Sequence, residues 1–163
     1  ALYGHFSNKS ALLRAVREEG FNRLYREKLA VFEQMRGNPF GYLRDGSYAY
    51  VRFALENPTL YRLMFTPPPR LGVSDDPWSG EAGRQILTLL LTGLRCSQDQ
   101  GFLPGMDLSR YSFMFWSTVH GAVSLTLQNR EMDQPAKWDA TREAVDTLME
   151  IIAATRNGTR GTS

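Results

Sequence analysis

Cysteine and histidine are scarce in this chain of 163 residues: Cys96 stands alone, and His5 and His120 are the two imidazoles. A single cysteine excludes an intrachain disulfide and points to a reducing compartment. It sits in a Leu-rich helical stretch and reads as a small core residue. The histidines are too far apart to form a local metal pair, and no HExxH or CxxC is present. There is no Gly-x-Ser-x-Gly elbow and no glycine-rich phosphate loop. Asp75-Asp76 falls among prolines, and Glu18-Glu19 are adjacent positions that do not share a helix face, so neither is an acid–base pair. No catalytic residue, metal or cofactor is therefore expected.

Long apolar runs are also missing. The most apolar stretch, 86–94, is far shorter than the roughly 20 residues of a membrane span, so no membrane partner and a cytoplasmic location are expected. The net charge of +2 is too small to mark a nucleic-acid binder. Residues 1–28 hold six Lys or Arg against three Glu, a mild basic bias that any solvated helix face would share.

What is present is helical. Hydrophobic residues make up 42% and charged residues 22%, ordinary for a globular protein. Apolar positions recur at spacings of three and four, and Gly and Pro fall between segments. Ser7 or Asn8 can cap a helix over 9–35, stopped by Gly37. Asn38-Pro39 starts another to 56, and Asn57-Pro58 repeats the device for a short helix over 59–65. The proline-rich 66–78 is a loop. Helices over 79–100 (closed by Gly101), 108–130 (capped by Asp107) and 135–157 complete an all-α reading.

The last two helices are apolar beyond a single stripe. Leu108, Tyr111, Phe115, Trp116, Val119, Val123 and Leu127 face one way, while Phe113, Met114, Ala122 and Leu125 widen the surface. The final helix adds Ala144, Val145, Leu148, Met149, Ile151 and Ile152. A helix apolar over most of its circumference is buried on two sides. Either these are two inner helices of a monomer, or they form a four-helix homodimer interface, with Val123, Leu127, Leu148 and Ile152 as candidate contacts.

The opening run Leu2-Tyr3-Gly4-His5-Phe6, then Asn8-Lys9 and Ala11-Leu12-Leu13, resembles a signature of TetR-type transcriptional regulators. In that family it ends the recognition helix of a helix-turn-helix and starts the helix that leads into the regulatory domain. The resemblance implies a chain that opens inside a DNA-reading element and is N-terminally incomplete. It implies DNA contacts, mostly to phosphates, by Tyr3, His5 and Lys9, with Leu2 and Phe6 filling the small DNA-binding core. Ser10 departs from the acidic residue usual after the Lys. Residues 1–36 are then a remnant of the DNA-binding domain, and 37–163 a regulatory domain for ligand binding and dimerisation.

Trp116 and His120 are four apart on one helix face, and Gly121 beside them leaves either a close approach or room for a ligand. This resembles the Trp-His-Gly signature of one TetR regulatory-domain subfamily, and 50–65 resembles its characteristic upstream segment. Phe53, Tyr61, Met64 and Phe65 are large apolar side chains near a loop; with Trp116 and His120 they are candidates for an apolar pocket with a few polar groups. Arg62 is a further possible polar contributor. Aromatic and Met stripes at this spacing also serve as plain core, and His120 as a hydrogen-bonded core histidine. The expected function is a ligand-responsive repressor, a homodimer on operator DNA, with a small, mostly apolar effector. The alternatives are a helical ligand-binding module with no DNA role and a small all-α enzyme using His120 as a base.

Overall fold

Asn8 sets the start of the first helix: its Oδ1 accepts the Ala11 N–H at 2.9 Å, leaving α1 (Lys9–Gln34) to run 26 residues. In this computed structural model, which describes residues 8–157, the same device recurs. Asn38 Oδ1 accepts the Gly41 N–H at 2.9 Å, with Pro39 at the first helical position of α2 (Pro39–Glu56). Asp107 accepts from Ser109 and Arg110 to open α5 (Leu108–Gln128). Asp133 accepts from Ala136 at the start of α6 (Gln134–Asn157). Between them lie α3 (Pro58–Phe65), a short 3₁₀ turn (Pro69–Leu71) in the proline-rich loop, and α4 (Glu81–Asp99). All regular structure among the described residues is helical.

Asn57 departs from the expected capping device. Its side chain makes no cap at α3 but donates back to the Phe53 carbonyl, closing the end of α2. Its Oδ1 is occupied by Arg23 of α1, at 3.2 Å.

The arrangement centres on α2, which touches all five other helices. Its Tyr42, Leu43, Tyr50, Val51, Phe53, Ala54 and Leu55 are therefore all buried. Phe21 and Leu24 of α1 belong to the same core, so the first helix is an integral member of the bundle. The stripe of α5 that faces one way turns inward, with Tyr111, Phe115, Val119, Val123 and Leu127 buried and Leu108 and Trp116 half-buried. No helix among the described residues is long and apolar enough to cross a membrane.

Two expectations need correction. Val123, Leu127, Leu148 and Ile152, picked as contacts with a second copy, are 0–8% exposed and lie in this chain's own core. The outward apolar residues are Phe113 at 68%, Leu125 at 70%, Ile151 at 56% and Met114 at 42%. Helical spacing identified two apolar faces but could not say which one turns inward. Cys96 is exposed, because α4 buries Gly93, Leu94 and Ser97 and turns the cysteine away from them.

One glycine positions the loop before α4. A Cβ at Gly83 would fall onto the Pro77 carbonyl oxygen, so only glycine lets that backbone lie against the helix. The next residue, Trp78, is thereby held over the bundle, with its N–H donated to Asp76 Oδ1 at 2.9 Å. Gly83→Ala is expected to destabilise the fold by about 1–3 kcal/mol, although alanine is the better helix former. Denaturant unfolding should show this loss together with a changed near-ultraviolet tryptophan signal; unchanged stability would contradict the close approach.

Candidate ligand-binding site

Burying most of α2 leaves the polar atoms on its inward face needing partners inside the bundle. Tyr50 meets this at one point. Its hydroxyl lies 2.9 Å from the Tyr61 hydroxyl of α3 and 2.9 Å from His120 Nδ1 of α5. The Tyr61 hydroxyl is 2.6 Å from the same Nδ1. Three helices thus meet in a triangle of two phenols and one imidazole.

Aromatic rings surround the triangle. Trp116 stacks on His120 at 4.6 Å, and Phe65 stands edge-on to His120 at 4.9 Å. Trp78 from the loop meets Trp116 edge-to-face at 5.1 Å. Such pairs hold ring positions by quadrupole complementarity as well as by buried area. The Trp116 indole N–H is buried beside the Tyr50 hydroxyl without a well-formed hydrogen bond.

Burial dominates the electrostatics here. It pushes the Tyr50 and Tyr61 phenols well above their ordinary range and holds His120 below its ordinary 6.5. The ring is therefore neutral near pH 7. We assign its proton to Nε2, which leaves the Nδ1 lone pair to accept from Tyr61 while Tyr50 donates to Tyr61.

Spaces open on both sides of the cluster. One is a groove of about 160 Å³ lined by Tyr61, Arg62, Phe65, His120, Ser124 and Leu127. On the other side, Tyr50, Trp116, Lys28, Ile86, Leu90 and Val119 wall a chamber of about 30 Å³. Beyond it, Trp78, Leu87, Leu91, Phe113 and Trp116 line an outer groove of about 310 Å³.

The structure therefore brings Tyr61, Phe65, Trp116 and His120 together, as their motifs suggested. Phe53 and Met64 are 1% and 0% exposed in the core and line none of these spaces. Arg62 joins the groove and donates to the Leu127 carbonyl at 3.3 Å. Gly121 has no neighbour that a Cβ would meet within 4 Å, so close approach inside this chain is not its reason. Lys9 is exposed at the start of α1, whereas Tyr3 and His5 lie outside the described residues.

Three residues escaped the sequence reading. Tyr50 was in the quoted segment, but nothing local announced its partners on α3 and α5. Trp78 sits in a loop, where periodicity carries no signal. Lys28 did leave one: with Phe21 and Leu24 it falls on the inward face of α1, and it is only 8% exposed. Its Nζ donates to the Gly46 carbonyl at 3.1 Å, and burial draws its pKa down to about 8.

Comparison with known proteins gives a family for most of the chain. A family model described as tetracyclin repressor-like, C-terminal domain, matches residues 43–152. That stretch includes Tyr50, Tyr61, Trp116 and His120 but neither Lys9 nor Lys28. A solved structure of a protein with unknown function from Rhodococcus sp. RHA1 is similar, with a TM-score of 0.70 and 25% identity over 91% of this chain and 76% of that one. No curated protein matches.

A buried neutral histidine makes stability depend on pH. The unfolded chain takes up a proton near 6.5 and the folded one only at lower pH, so the unfolded state binds more protons between the two. Stability is thus expected to be intact above about pH 6.5 and to fall as acid carries the protein down through the lowered folded value. His120→Gln should flatten that part of the curve in denaturant titrations at several pH values. An equal slope in the variant would show that His120 is not the group responsible.

Proposed function

The chain belongs to the family of tetracyclin repressor-like C-terminal domains, and on that premise we propose that it serves a ligand-responsive transcriptional repressor, a homodimer on operator DNA. A small, mostly apolar effector is sensed at the aromatic cluster, and the Trp116-His120-Gly121 run supports the Trp-His-Gly type of this domain. His120 then serves recognition and packing rather than catalysis. The protein works in the cytoplasm.

The fastening of α1 to the sensing cluster carries this reading. Arg17 Nε donates to the Met64 carbonyl of α3 at 3.0 Å, and Arg14 to the Leu71 carbonyl at 3.0 Å. Arg23 reaches Asn57 at the α2–α3 junction. At Gly20 a Cβ would lie 2.7 Å from Met64 Sδ, so α1 and α3 are in close contact there. Any ligand that moves Tyr61 or Phe65 of α3 must therefore move α1. The start of α1 carries Lys9 beside free helix amides, the place for a phosphate contact, with Tyr3 and His5 as its neighbours in that role. Coupling of this kind is allosteric when the effector favours one position of α1 over the other.

The dimer follows from the outward face of the last two helices. Phe113, Met114 and Leu125 on α5 and Ile151 on α6 expose apolar surface on adjoining helices. Gly121, with open space before it, and the exposed Ala154 would let a second pair of helices approach closely. Two such faces related by a two-fold axis make a four-helix interface. The two DNA-contacting ends would then reach half-sites one helical turn apart.

Leu125→Glu is expected to convert a dimer into a monomer in sedimentation, with little loss of monomer stability because the side chain is exposed. A wild-type protein that sediments as a monomer would overturn the dimer. Lys9→Ala is expected to weaken DNA binding by a similar factor on all sequences and to reduce the salt slope by about one. A change in sequence preference would instead make Lys9 a base contact. Absence of sequence-selective duplex binding by the protein would favour a ligand-binding module with no DNA role.

A further inference from the structure

Lys28 stands out once the bundle is assembled. It is 8% exposed, and among the described residues no carboxylate pairs with it. An ammonium carries three donors, and the Gly46 carbonyl takes one. The Tyr42 ring, 5.9 Å from Nζ, is a weak partner at that range. A buried cation normally keeps an anion beside it, because burial without one is costly.

The surroundings extend the pattern. Lys28 lines the inner chamber with Trp116, whose buried N–H makes no well-formed hydrogen bond, and with Ser47, whose hydroxyl donates to the Leu43 carbonyl. The other walls are mainly apolar: Ile86, Leu87, Leu90, Phe115 and Val119. About 30 Å³ is the scale of a carboxylate group, not of a whole effector. The outer groove, about 310 Å³, shares Trp78, Leu87 and Trp116 with the chamber and ends at the exposed Phe113. The space at Lys28 and the apolar groove thus adjoin through a shared wall of Trp78, Leu87 and Trp116.

We propose that the effector is an amphiphilic carboxylate, its charged group paired with Lys28 in the inner chamber and its apolar body passing between Trp78, Leu87 and Trp116 into the outer groove. This rests on the ligand-sensing reading above and adds the effector's charge and its direction of binding. Lys28 on α1, Ser47 on α2 and Trp116 on α5 are drawn onto one ligand. The anion thereby grips the helix that leads to Lys9.

Calorimetry with decanoate, decanol and decyltrimethylammonium separates charge from apolar burial at constant chain length. Decanoate is expected to bind at least about tenfold tighter than decanol, and the cation most weakly. Lys28→Met keeps an apolar stem, so it should bring decanoate down to the affinity of decanol and leave decanol unchanged. Without ligand, the same variant should melt at a higher temperature than the wild type, because an uncompensated buried charge has gone. Leu87→Trp, at a half-buried position in the shared wall, should weaken both decanoate and decanol. A wild type that binds decanol as tightly as decanoate, or a Lys28→Met protein that keeps the preference, overturns the anion while leaving the sensing reading intact. Unchanged binding in Leu87→Trp overturns the placement. Failure of all three probes to bind overturns the proposal and the apolar-effector reading together.

Discussion

The bundle is arranged around α2, which touches every other helix and keeps only a narrow solvent edge at Arg44, Arg52 and Glu56. Because α2 is in contact with every other helix, the polar groups on its inward face depend on partners inside. Tyr50 does so by joining Tyr61 and His120, and this joins α2, α3 and α5 at a single triangle of hydrogen bonds. The rings of Phe65, Trp116 and Trp78 then take positions dictated by that triangle. Hydrogen bonds among buried neutral groups are directional, so a cluster like this has few arrangements of similar energy. A bound molecule that alters one ring must alter the others, which suits a sensor.

The same interior holds groups that a core built only for stability would avoid. Among the described residues Lys28 is a buried cation without a carboxylate, the Tyr42 hydroxyl is buried without a partner, and the buried Trp116 N–H lacks a well-formed hydrogen bond. Each costs free energy of the order of 1–3 kcal/mol or more when left unsatisfied. Lys28 and Trp116 border the inner chamber, next to the outer groove. The proline-rich loop brings Trp78 over the cluster, and Gly83 is the residue that lets it lie there.

The outer surface reads differently. Phe113, Leu125 and Ile151 are more than half exposed on helices whose inner faces are already filled. Apolar groups on adjoining helices at this exposure suit a second copy of the chain. At the other side of the bundle, arginine side chains strap α1 to the carbonyls of α3 and of the following loop. The bundle thus has an aromatic cluster, an apolar outer face and a first helix tied by arginines to the helix that carries Tyr61 and Phe65.

Local chemistry determined the helices. Asn8, Asn38 and Asp107 cap where the sequence placed them, and the apolar spacing set the all-α class, because capping and amphipathicity act over a few residues. The run 50–65 and the Trp116-His120 pair marked Phe53, Tyr61, Met64, Phe65, Trp116 and His120, of which Tyr61, Phe65, Trp116 and His120 come together while Phe53 and Met64 fill the core. Tertiary structure decided what local rules cannot reach. It chose which apolar face of α5 and α6 turns inward, sending Val123, Leu127, Leu148 and Ile152 into the core and Leu125 outward. It drew the Asn57 side chain away from capping α3, back to the Phe53 carbonyl and across to Arg23, although Asn57-Pro58 still starts that helix. It sent Cys96 to the surface, and it placed Lys28 in an apolar wall without a counter-charge. Caps and periodicity depend on neighbours along the chain; burial depends on neighbours across it, and those exist only once the helices have met.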